Sequence, residues 1–398
     1  MGAQVLQVGS KNNRKVDRKQ WIWLAIAIVA AIGLPLYFQS VGNFFFVRIF
    51  ALMGLYVVLA LGLNITVGYA GLLDLGYIAF YAVGAYVGML LGLLLPEAIA
   101  GAGYWVLLPV SALGAAFAGL VIGFPVLRLR GDYLAIVTLG FGESVRIALT
   151  NDVFGLTRGP KGLPGPGESV AAPAGQAAMV EALSFGDFRF STDLWWYYMI
   201  AILCVIAIFV IRRLDDSRLG RAWIAMREDE IAAASVGVNI QSTKLWAFAL
   251  GAVWGGIGGI TFTYWIGFIS PESFNFMESV LVVCMVVLGG MGSIPGVVLG
   301  AAIIAGLPEM IRWTAQSEFF SQFLTMEQAN MAGQYRFLVF AVALIIMMIF
   351  RPQGILPSKR RALELHPDHA KNLMEQNQSM ADLEAANRAE SRHRGGTR

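Results

Sequence analysis

The chain has 398 residues, of which 57% are hydrophobic and only 14% are charged, and its mean hydropathy is +0.65. This composition is too apolar for a soluble protein of this length and predicts a polytopic membrane protein. The net charge of +3 gives no support for nucleic-acid binding, and because no GxxxxGK[ST] loop occurs, any ATP that drives the protein is bound by another chain.

The N-terminal part predicts a basic arm followed by a membrane span. Residues 1–20 are polar and cationic, and the apolar run 21–38 lacks the small-residue cleavage site of a secretory signal, so we expect it to be retained. A helix needs about 20 apolar residues to cross a bilayer. By that rule the remaining spans are 44–67, 71–95, 104–127, 132–150, 194–211, 245–266, 277–291, 294–311 and 335–350. The predicted fold is an all-α polytopic membrane protein of about ten transmembrane helices, in which 277–311 forms either two spans or a re-entrant segment.

The distribution of cations between the spans predicts the orientation of the chain. The connections that hold most of the cations are 1–20, 128–130, 212–244 and 351–361. Loop cations favour the cytoplasmic side, so we expect both termini to lie in the cytoplasm. The Gly- and Pro-rich segment 151–193 is then a periplasmic loop.

The chain ends in a polar tail, 358–398, with few large apolar side chains, and we expect it to be disordered in the cytoplasm. His366 and His369 lie in this tail. They make a weak metal site because no further ordered ligand accompanies them, so no metal site is predicted.

The segment 212–244 is the only long, densely charged interruption between the apolar spans. Its Ala-rich run 222–234 favours a helix, and Gly237 suits the end of one. Asn239 or Ser242 suits the start of the next helix. A helical surface with charges of both signs fits docking to another protein. The alternative is an ordinary solvated loop that its cations hold inside the cell.

Three predicted spans carry glycines at every fourth position, which puts a flat stripe on one helix face and lets a neighbouring helix cross closely. The stripes are Gly84/Gly88/Gly92, Gly251/Gly255/Gly259 and Gly292/Gly296/Gly300. They predict a glycine-rich, tightly packed bundle and give no information about a substrate.

Two glycine-rich breaks interrupt the apolar spans. The first contains Gly68, Gly71, Asp74 and Gly76, and the second contains Gly289, Gly290, Gly292 and Ser293. Irregular backbone at membrane depth persists only where protein buries it or where it lines a cavity. Paired breaks of this kind are therefore candidates for a transport pathway. The alternative is that both are tight cytoplasmic turns.

Glu143 and Arg146 lie three residues apart within the predicted span 132–150. A charge near the bilayer centre costs about 2.5–3.5 kcal/mol on insertion scales, so we expect the two side chains to pair and to point into the bundle. They brace the bundle or line the path. No HExxH or GxSxG motif occurs and the spans contain no histidine, so no catalytic set is predicted.

Several blocks of sequence are informative together. They are Gly-Tyr-Ala-Gly-Leu-Leu-Asp from Gly68, Arg-Gly-Asp-Tyr from Arg130, Gly-Arg-Ala-Trp from Gly220, Ser-Pro-Glu-Ser-Phe from Ser270, Leu-Gly-Gly-Met-Gly-Ser from Leu288 and Arg-Pro-Gln-Gly from Arg351. In this order, between residues 44 and 357, they resemble the M-type permease subunits of bacterial high-affinity branched-chain amino-acid ABC importers. The resemblance implies a transmembrane permease domain at 21–357 in the bacterial inner membrane, without an ATPase site of its own.

The resemblance also implies partners and a substrate. Such importers combine the M-type permease with an H-type permease, two cytoplasmic ATPase subunits and a periplasmic amino-acid-binding protein. Leucine, isoleucine and valine are the implied substrates, and ATP on the partner subunits is the implied energy source, with no cofactor on this chain. Relatives with the same architecture move urea or short amides. A stand-alone, ion-coupled secondary carrier is the alternative of a different class.

Under this interpretation the breaks contact substrate and the segment 212–244 docks to an ATPase. The pathway candidates are Gly68, Gly71, Asp74, Gly76, Glu143, Gly289, Gly290, Gly292 and Ser293. The coupling candidates are Gly220, Arg221, Arg227, Glu228, Asp229, Glu230 and Gly237.

Overall fold

A computed structural model describes much of the predicted membrane domain. The described residues are 31–94, 103–126, 129, 131–152, 155–164, 191–315, 341–342, 345, 349–350 and 354–356. The arm 1–20, the tail 358–398 with His366 and His369, and most of the first and last predicted spans lie outside the described residues.

Helices make up most of the described chain, and residues 31–40 form the first of them, α1. The others are α2 (Phe44–Leu63), α3 (Tyr77–Leu94), α4 (Gly103–Val126), α5 (Asp132–Thr150), α6 (Thr192–Asp215), α7 (Arg218–Glu228), α8 (Glu230–Ser235), α9 (Ile240–Ile266), α10 (Phe276–Gly289) and α11 (Ile294–Ala315). A π-helical turn, Asn64–Tyr69, continues α2. The short strands β1 (Leu163–Pro164) and β2 (Phe268–Ile269) pair antiparallel.

Six helical segments of the described chain are long and apolar enough to cross a membrane. They are Phe44–Tyr69, Gly103–Pro125, Asp132–Thr150, Thr192–Asp215, Ile240–Ile266 and Pro271–Gly289. Two further apolar helices, Tyr77–Leu93 and Ile294–Met310, are shorter. The mainly helical membrane fold is therefore confirmed. The number of about ten spans stays a prediction.

Some boundaries differ from those predicted, because backbone irregularity is not visible in hydropathy. The span expected at 71–95 begins only at Tyr77, since residues 71–76 are not helical. The segment 277–311 contains two helices, α10 and α11, separated by the turn at 290–293. Gly292 lies in that turn, so the predicted third glycine stripe is wrong at its first position.

Helix α9 lies at the centre of the bundle and is the most deeply buried of the candidate spans. Its glycine stripe allows this. A Cβ on Gly255 would lie 3.0 Å from Cβ of Phe80, and one on Gly251 would lie 3.3 Å from the carbonyl oxygen of Gly62. Helices α2 and α3 therefore approach the α9 backbone closely, as the first two stripes predicted.

Irregular segments of the chain lie at both ends of α9. Because α9 has 27 residues, its ends lie about 40 Å apart. The segment 216–239 precedes one end, and β2 follows the other, where it pairs with β1. Residues 165–190 lie outside the described residues, and the sides on which 151–193 and 212–244 lie stay a prediction.

Candidate functional site

The first glycine break lies directly after α2. Here the helix widens into the π-turn, and residues 71–76 follow without helical structure. The last carbonyl groups of a helix have no partner within it. The carbonyl of Gly68 accepts a hydrogen bond of 2.7 Å from the Arg227 guanidinium. The C-terminal end of α7 is thereby bound to the break.

Gly71 makes room for this contact. Its φ of +70° lies in the region that favours glycine. A Cβ at this position would lie 2.6 Å from Cγ of Arg227. The Arg227 stem therefore lies against bare backbone. Gly68 and Gly71 were predicted to line the transport pathway, and Arg227 was predicted to take part in coupling. The Arg227–Gly68 hydrogen bond connects these two groups of residues.

The second break meets the first at the same place. The backbone N–H of Gly292 donates to Oδ1 of Asn64 over 2.9 Å. A Cβ on Gly68 would lie 2.6 Å from the backbone nitrogen of Gly292. The two breaks thus touch backbone to backbone. Sequence reasoning missed Asn64, although a carboxamide within an apolar span is itself a signal of a specific role.

The other residues of the second break hold chain segments together. Ser293 Oγ accepts the N–H of Gly296 at 3.3 Å, which caps the start of α11. The carbonyl of Gly289 accepts the N–H of Leu356 at 3.1 Å. Gly290 faces Gly354 so closely that a side chain on Gly354 would lie 2.7 Å from the nitrogen of Gly290. Gly289, Gly290 and Ser293 therefore fix helix ends in this structure.

Asp74 is buried in the first break. Its Oδ1 accepts the N–H of Gly76 at 2.9 Å. Within the described residues its Oδ2 has no hydrogen-bond partner. The adjoining Leu75 is held from two sides, because its N–H donates to Oγ1 of Thr138 and its carbonyl accepts from Oγ of Ser279. These hydrogen bonds fix the first break to α5 and α10. They leave Oδ2 of the buried Asp74 without a hydrogen bond in the described structure.

Glu143 and Arg146 form the predicted ion pair on α5, with the Arg146 Nε at 3.0 and 3.1 Å from the two Glu143 oxygens. The expected inward orientation is wrong. The Glu143 side chain is 36% exposed and that of Arg146 is 24% exposed. Arg146 Nη1 also lies 3.9 Å from Glu272. The charges therefore lie at an open face of the bundle.

The segment 212–244 is firmly attached to the bundle. Gly220 lies so close to the end of α6 that a Cβ would be 2.5 Å from the carbonyl oxygen of Asp215. The buried Trp223 donates its indole N–H to the carbonyl of Thr243 at 2.9 Å. A displacement of α7 therefore acts on the ends of α6 and α9.

The single helix expected over 222–234 is interrupted at Asp229, which ends α7 and caps α8. Its carboxylate accepts the N–H groups of Ile231 and Ala232 at 2.7 and 3.0 Å. A side chain that satisfies these donors competes with a continuous helix. The predicted helix end is confirmed, since α8 ends just before Gly237 at φ +91°. Asn239 caps α9.

The Asp229 cap predicts a pH dependence of α8. The hydrogen bonds from Ala232 and Ile231 hold the pKa of Asp229 below its ordinary value of 3.8. A lowered folded-state pKa gives a stabilisation that is complete above 3.8 and is lost as the pH falls through the folded value. We expect the hydrogen-exchange protection factors of amides 231 and 232 to fall over that acidic range. Asp229→Asn keeps an acceptor oxygen that does not titrate, and an unchanged pH dependence in this variant contradicts the assignment.

A buried ion pair ties α8 to α9. Lys244 Nζ lies 2.6 Å from Glu230, and the lysine side chain is only 2% exposed. A lysine enclosed this way requires a facing carboxylate. Glu230 therefore has a structural role in this fold, in addition to the predicted one in coupling.

The outer surface of the segment 212–244 combines charge with exposed apolar side chains. Arg221 and Glu228 are exposed, as the coupling prediction requires. Ile231 is 69% exposed and Val236 is 81% exposed. These two apolar side chains are open to solvent beside charged ones, and the coupling role of this surface stays a prediction. Sequence reasoning missed both, because the Ala-rich pattern does not show which face is outward.

A cleft of about 230 Å³ lies between part of α7 and α8 and the membrane helices. Its lining includes Gly71 and Leu72 from the first break, Asp132 from α5, and Arg227 and Glu230. Among the residues that the structure describes, no group of three or more His, Cys, Asp or Glu side chains is placed to hold a metal ion.

Comparison with known proteins gives consistent matches. The family model described as branched-chain amino acid transport system / permease component matches residues 45–350. The high-affinity branched-chain amino acid transport system permease protein LivM of Escherichia coli K12 is 42% identical over 362 residues, which is 89% of this chain and 79% of that protein. The LivM protein of Salmonella typhimurium LT2 is 41% identical over the same length.

A second type of permease is also similar. The high-affinity branched-chain amino acid transport system permease protein LivH of Escherichia coli K12 is 25% identical over 309 residues, which is 76% of this chain and 91% of LivH. No solved structure matches the chain. The matches span the helices, both glycine breaks and the charged segment.

Proposed function

This chain belongs to the branched-chain amino acid transport permease family, and we propose that it is the transmembrane permease subunit of an ABC importer for leucine, isoleucine and valine. The observation that carries the proposal is the hydrogen bond from Arg227 to the Gly68 carbonyl. It joins an exposed, charged helix to an irregular backbone between membrane helices. That connection is what an importer needs if its energy comes from another chain.

The proposed assembly contains four kinds of subunit in the bacterial inner membrane. This chain pairs with an H-type permease, two ATPases bind at the cytoplasmic side, and a periplasmic binding protein delivers the amino acid. LivH is itself a relative of this chain, which supports a pair of homologous permeases. ATP is hydrolysed on the ATPase subunits, and this chain binds no cofactor.

Coupling follows from the contacts of α7 and α8. An ATPase docks on the surface that carries Ile231 and Val236, where burial of apolar side chains supplies the binding energy. When the ATPases move, α7 moves with them. Arg227 then pulls on the carbonyl of Gly68, and because Gly68 touches Gly292, both breaks shift together. The substrate path thereby closes on one side of the membrane and opens on the other.

A zwitterionic amino acid requires groups for both of its charges. Helix N-termini favour carboxylates, and the start of α11 at the second break supplies one. Asp74 is the better partner for the ammonium group, because its Oδ2 is unused within the described residues, whereas Glu143 is already paired with Arg146.

Substitution separates these two carboxylates. We expect Asp74→Asn to raise the KM for leucine by about tenfold, since a hydrogen bond to a charged group contributes ~1.5–3 kcal/mol. Glu143→Gln should change the KM less. ATP-driven uptake of labelled leucine into proteoliposomes measures both. If the glutamine variant alone is impaired, Glu143 is the substrate group, and if neither is impaired at equal protein levels, both assignments are wrong.

The function is tested by purifying the chain from its native membrane in mild detergent and reconstituting what remains bound. We expect a second permease and two ATPases, and leucine uptake that requires ATP and the binding protein. Uptake of urea or a short amide in place of leucine overturns the substrate class. Uptake by this chain alone, abolished by an ionophore, establishes an ion-coupled carrier instead.

A matched pair of variants tests the docking surface. Val236→Asp places a charge at the most exposed apolar side chain of the segment, and we expect it to remove the ATPases from the purified complex. Leu156→Asp changes a leucine that is 56% exposed at the opposite end of the bundle and should leave them bound. Equal loss in both variants contradicts docking at 231–236.

A further inference from the structure

Helix α5 combines two properties that do not fit a lipid-facing helix. It is the least buried and also the least apolar of the candidate spans. Where a membrane helix faces lipid, exposure and apolarity rise together. Helices α4 and α6 follow that rule, since their exposed side chains along the membrane are apolar, for example Phe117 on α4 and Val205 on α6. Helix α5 is the exception, because the small residues Gly140 and Ser144 interrupt its exposed apolar side chains and a partly exposed ion pair lies beside them.

The open face of α5 runs along the whole helix. After Asp132, which is exposed at the start of the helix, its exposed residues are Tyr133, Ile136, Val137, Gly140, Ser144 and Ile147. They recur at intervals of three and four residues, so they form one stripe. A Cβ added to Gly140 would meet nothing within 4 Å, and the Ser144 hydroxyl donates back to the Gly140 carbonyl over 2.7 Å.

The composition of this face favours protein over lipid. Glu143 and Arg146 lie beside the stripe and are both partly exposed, and charges on a membrane helix are stable only against protein or water. A water-filled surface does not suit Ile136 and Ile147. Small residues four positions apart, such as Gly140 and Ser144, allow a second helix to approach closely.

The partner must itself span the membrane, because the face extends over the full length of α5. This requirement excludes the ATPases and the binding protein as occupants. The charged side chains next to the open face of α5 indicate the kind of surface that the partner must have. Glu143 and Glu272 share the single guanidinium of Arg146, so the described cluster has one negative charge in excess. The partner surface therefore has to present a cation at this level.

We propose that the open face of α5 binds the second permease subunit of the importer, and this proposal rests on the proposed function. A helix of that subunit packs on Gly140 and Ser144. A cationic side chain of the same subunit lies opposite Glu143 and Glu272. The glycine breaks at the other face of α5, next to Thr138, then lie close to the seam between the two permeases.

Photo-cross-linking in the co-purified complex tests this surface. Ile136→p-benzoylphenylalanine and Ile147→p-benzoylphenylalanine place the reactive group on α5. Phe117→p-benzoylphenylalanine and Val205→p-benzoylphenylalanine place it on the apolar faces of α4 and α6. We expect the α5 variants to shift, after irradiation, to the summed mass of this chain and the second permease. The α4 and α6 variants should show no such shift.

The outcomes separate this inference from the proposed function. If the second permease co-purifies but only α4 or α6 positions cross-link to it, the surface is wrong and the function stands. An adduct between two copies of this chain overturns the identity of the partner. If no second permease co-purifies and leucine is not transported, both proposals fail.

A second variant tests the close approach at Gly140. Because Gly140 faces open space, Gly140→Phe should leave the unfolding temperature of the isolated chain unchanged. We expect it to release the second permease from the complex. Leu113→Phe, at an exposed site on α4, is the control and should release none. Full retention of the second permease by Gly140→Phe contradicts helix packing at this position.

Discussion

Arg227→Gln is expected to reduce ATP-driven leucine uptake by about 10- to 100-fold while the ATPases stay bound. The variant removes the guanidinium that donates to the Gly68 carbonyl over 2.7 Å. A hydrogen bond to a charged group contributes ~1.5–3 kcal/mol, and each 1.4 kcal/mol is a tenfold change in an equilibrium. Without it, movement of α7 no longer reaches the first break. ATP hydrolysis should then continue without matching transport.

The readout is the ratio of leucine transported to ATP hydrolysed in proteoliposomes. Arg218→Gln is the matched control, because Arg218 lies on the same helix, is exposed and carries the same charge. It should leave the ratio near that of the unsubstituted protein. Arg227→Lys keeps the positive charge but replaces the planar guanidinium with an ammonium group. We therefore expect a ratio between those of the unsubstituted protein and Arg227→Gln. If Arg218→Gln lowers the ratio as much as Arg227→Gln does, charge and not the contact with Gly68 is responsible.

The helices of this protein could be predicted because their signal is local. A long apolar run locates a membrane helix wherever it occurs, and all the described helices of the membrane bundle coincide with such runs. The errors fall where a polar side chain or a glycine changes the backbone. Asp229 divides the helix expected over 222–234, and residues 71–76 delay the start of α3.

The candidate site was predictable in its parts and not in its arrangement. Glycine breaks at 68–76 and 289–293 were visible as interruptions, and Arg227 was visible as part of a charged segment. Their meeting depends on the contacts 68–227 and 64–292, between residues far apart in the chain. No local pattern encodes which of several cations reaches a given carbonyl.

The orientation of Glu143 shows a different limit. The inward direction followed from treating one chain as a closed bundle, in which a buried charge must face the interior. The structure places the pair at an open face instead. If that face binds the second permease as proposed, the energetic rule holds for the complex, and only the assumption that one chain forms the whole bundle was wrong.

Gly84→Ala is expected to destabilise the protein by about 3 kcal/mol or more, which is the upper end of the cost of overpacking. Its Cβ would lie 2.6 Å from the carbonyl oxygen of Gly256 in α9. That oxygen belongs to the backbone, so neither group can turn aside, and α3 and α9 have to separate. Separation weakens the dispersion contacts between α3 and α9, the most buried of the candidate spans.

Gly92→Ala, in the same glycine stripe, is the matched control. The nearest atom to its Cβ is Cδ1 of Leu107 at 3.2 Å, which a small rotation of the leucine removes. Alanine also favours a helix over glycine by ~1 kcal/mol, so this variant should be neutral or slightly more stable. Unfolding of each purified variant by increasing SDS measures the difference. Equal destabilisation by both changes means that the stripe responds as a unit. A large loss at Gly84 alone means that backbone contact with Gly256 sets the separation of α3 and α9, which the regular spacing of the glycines does not reveal.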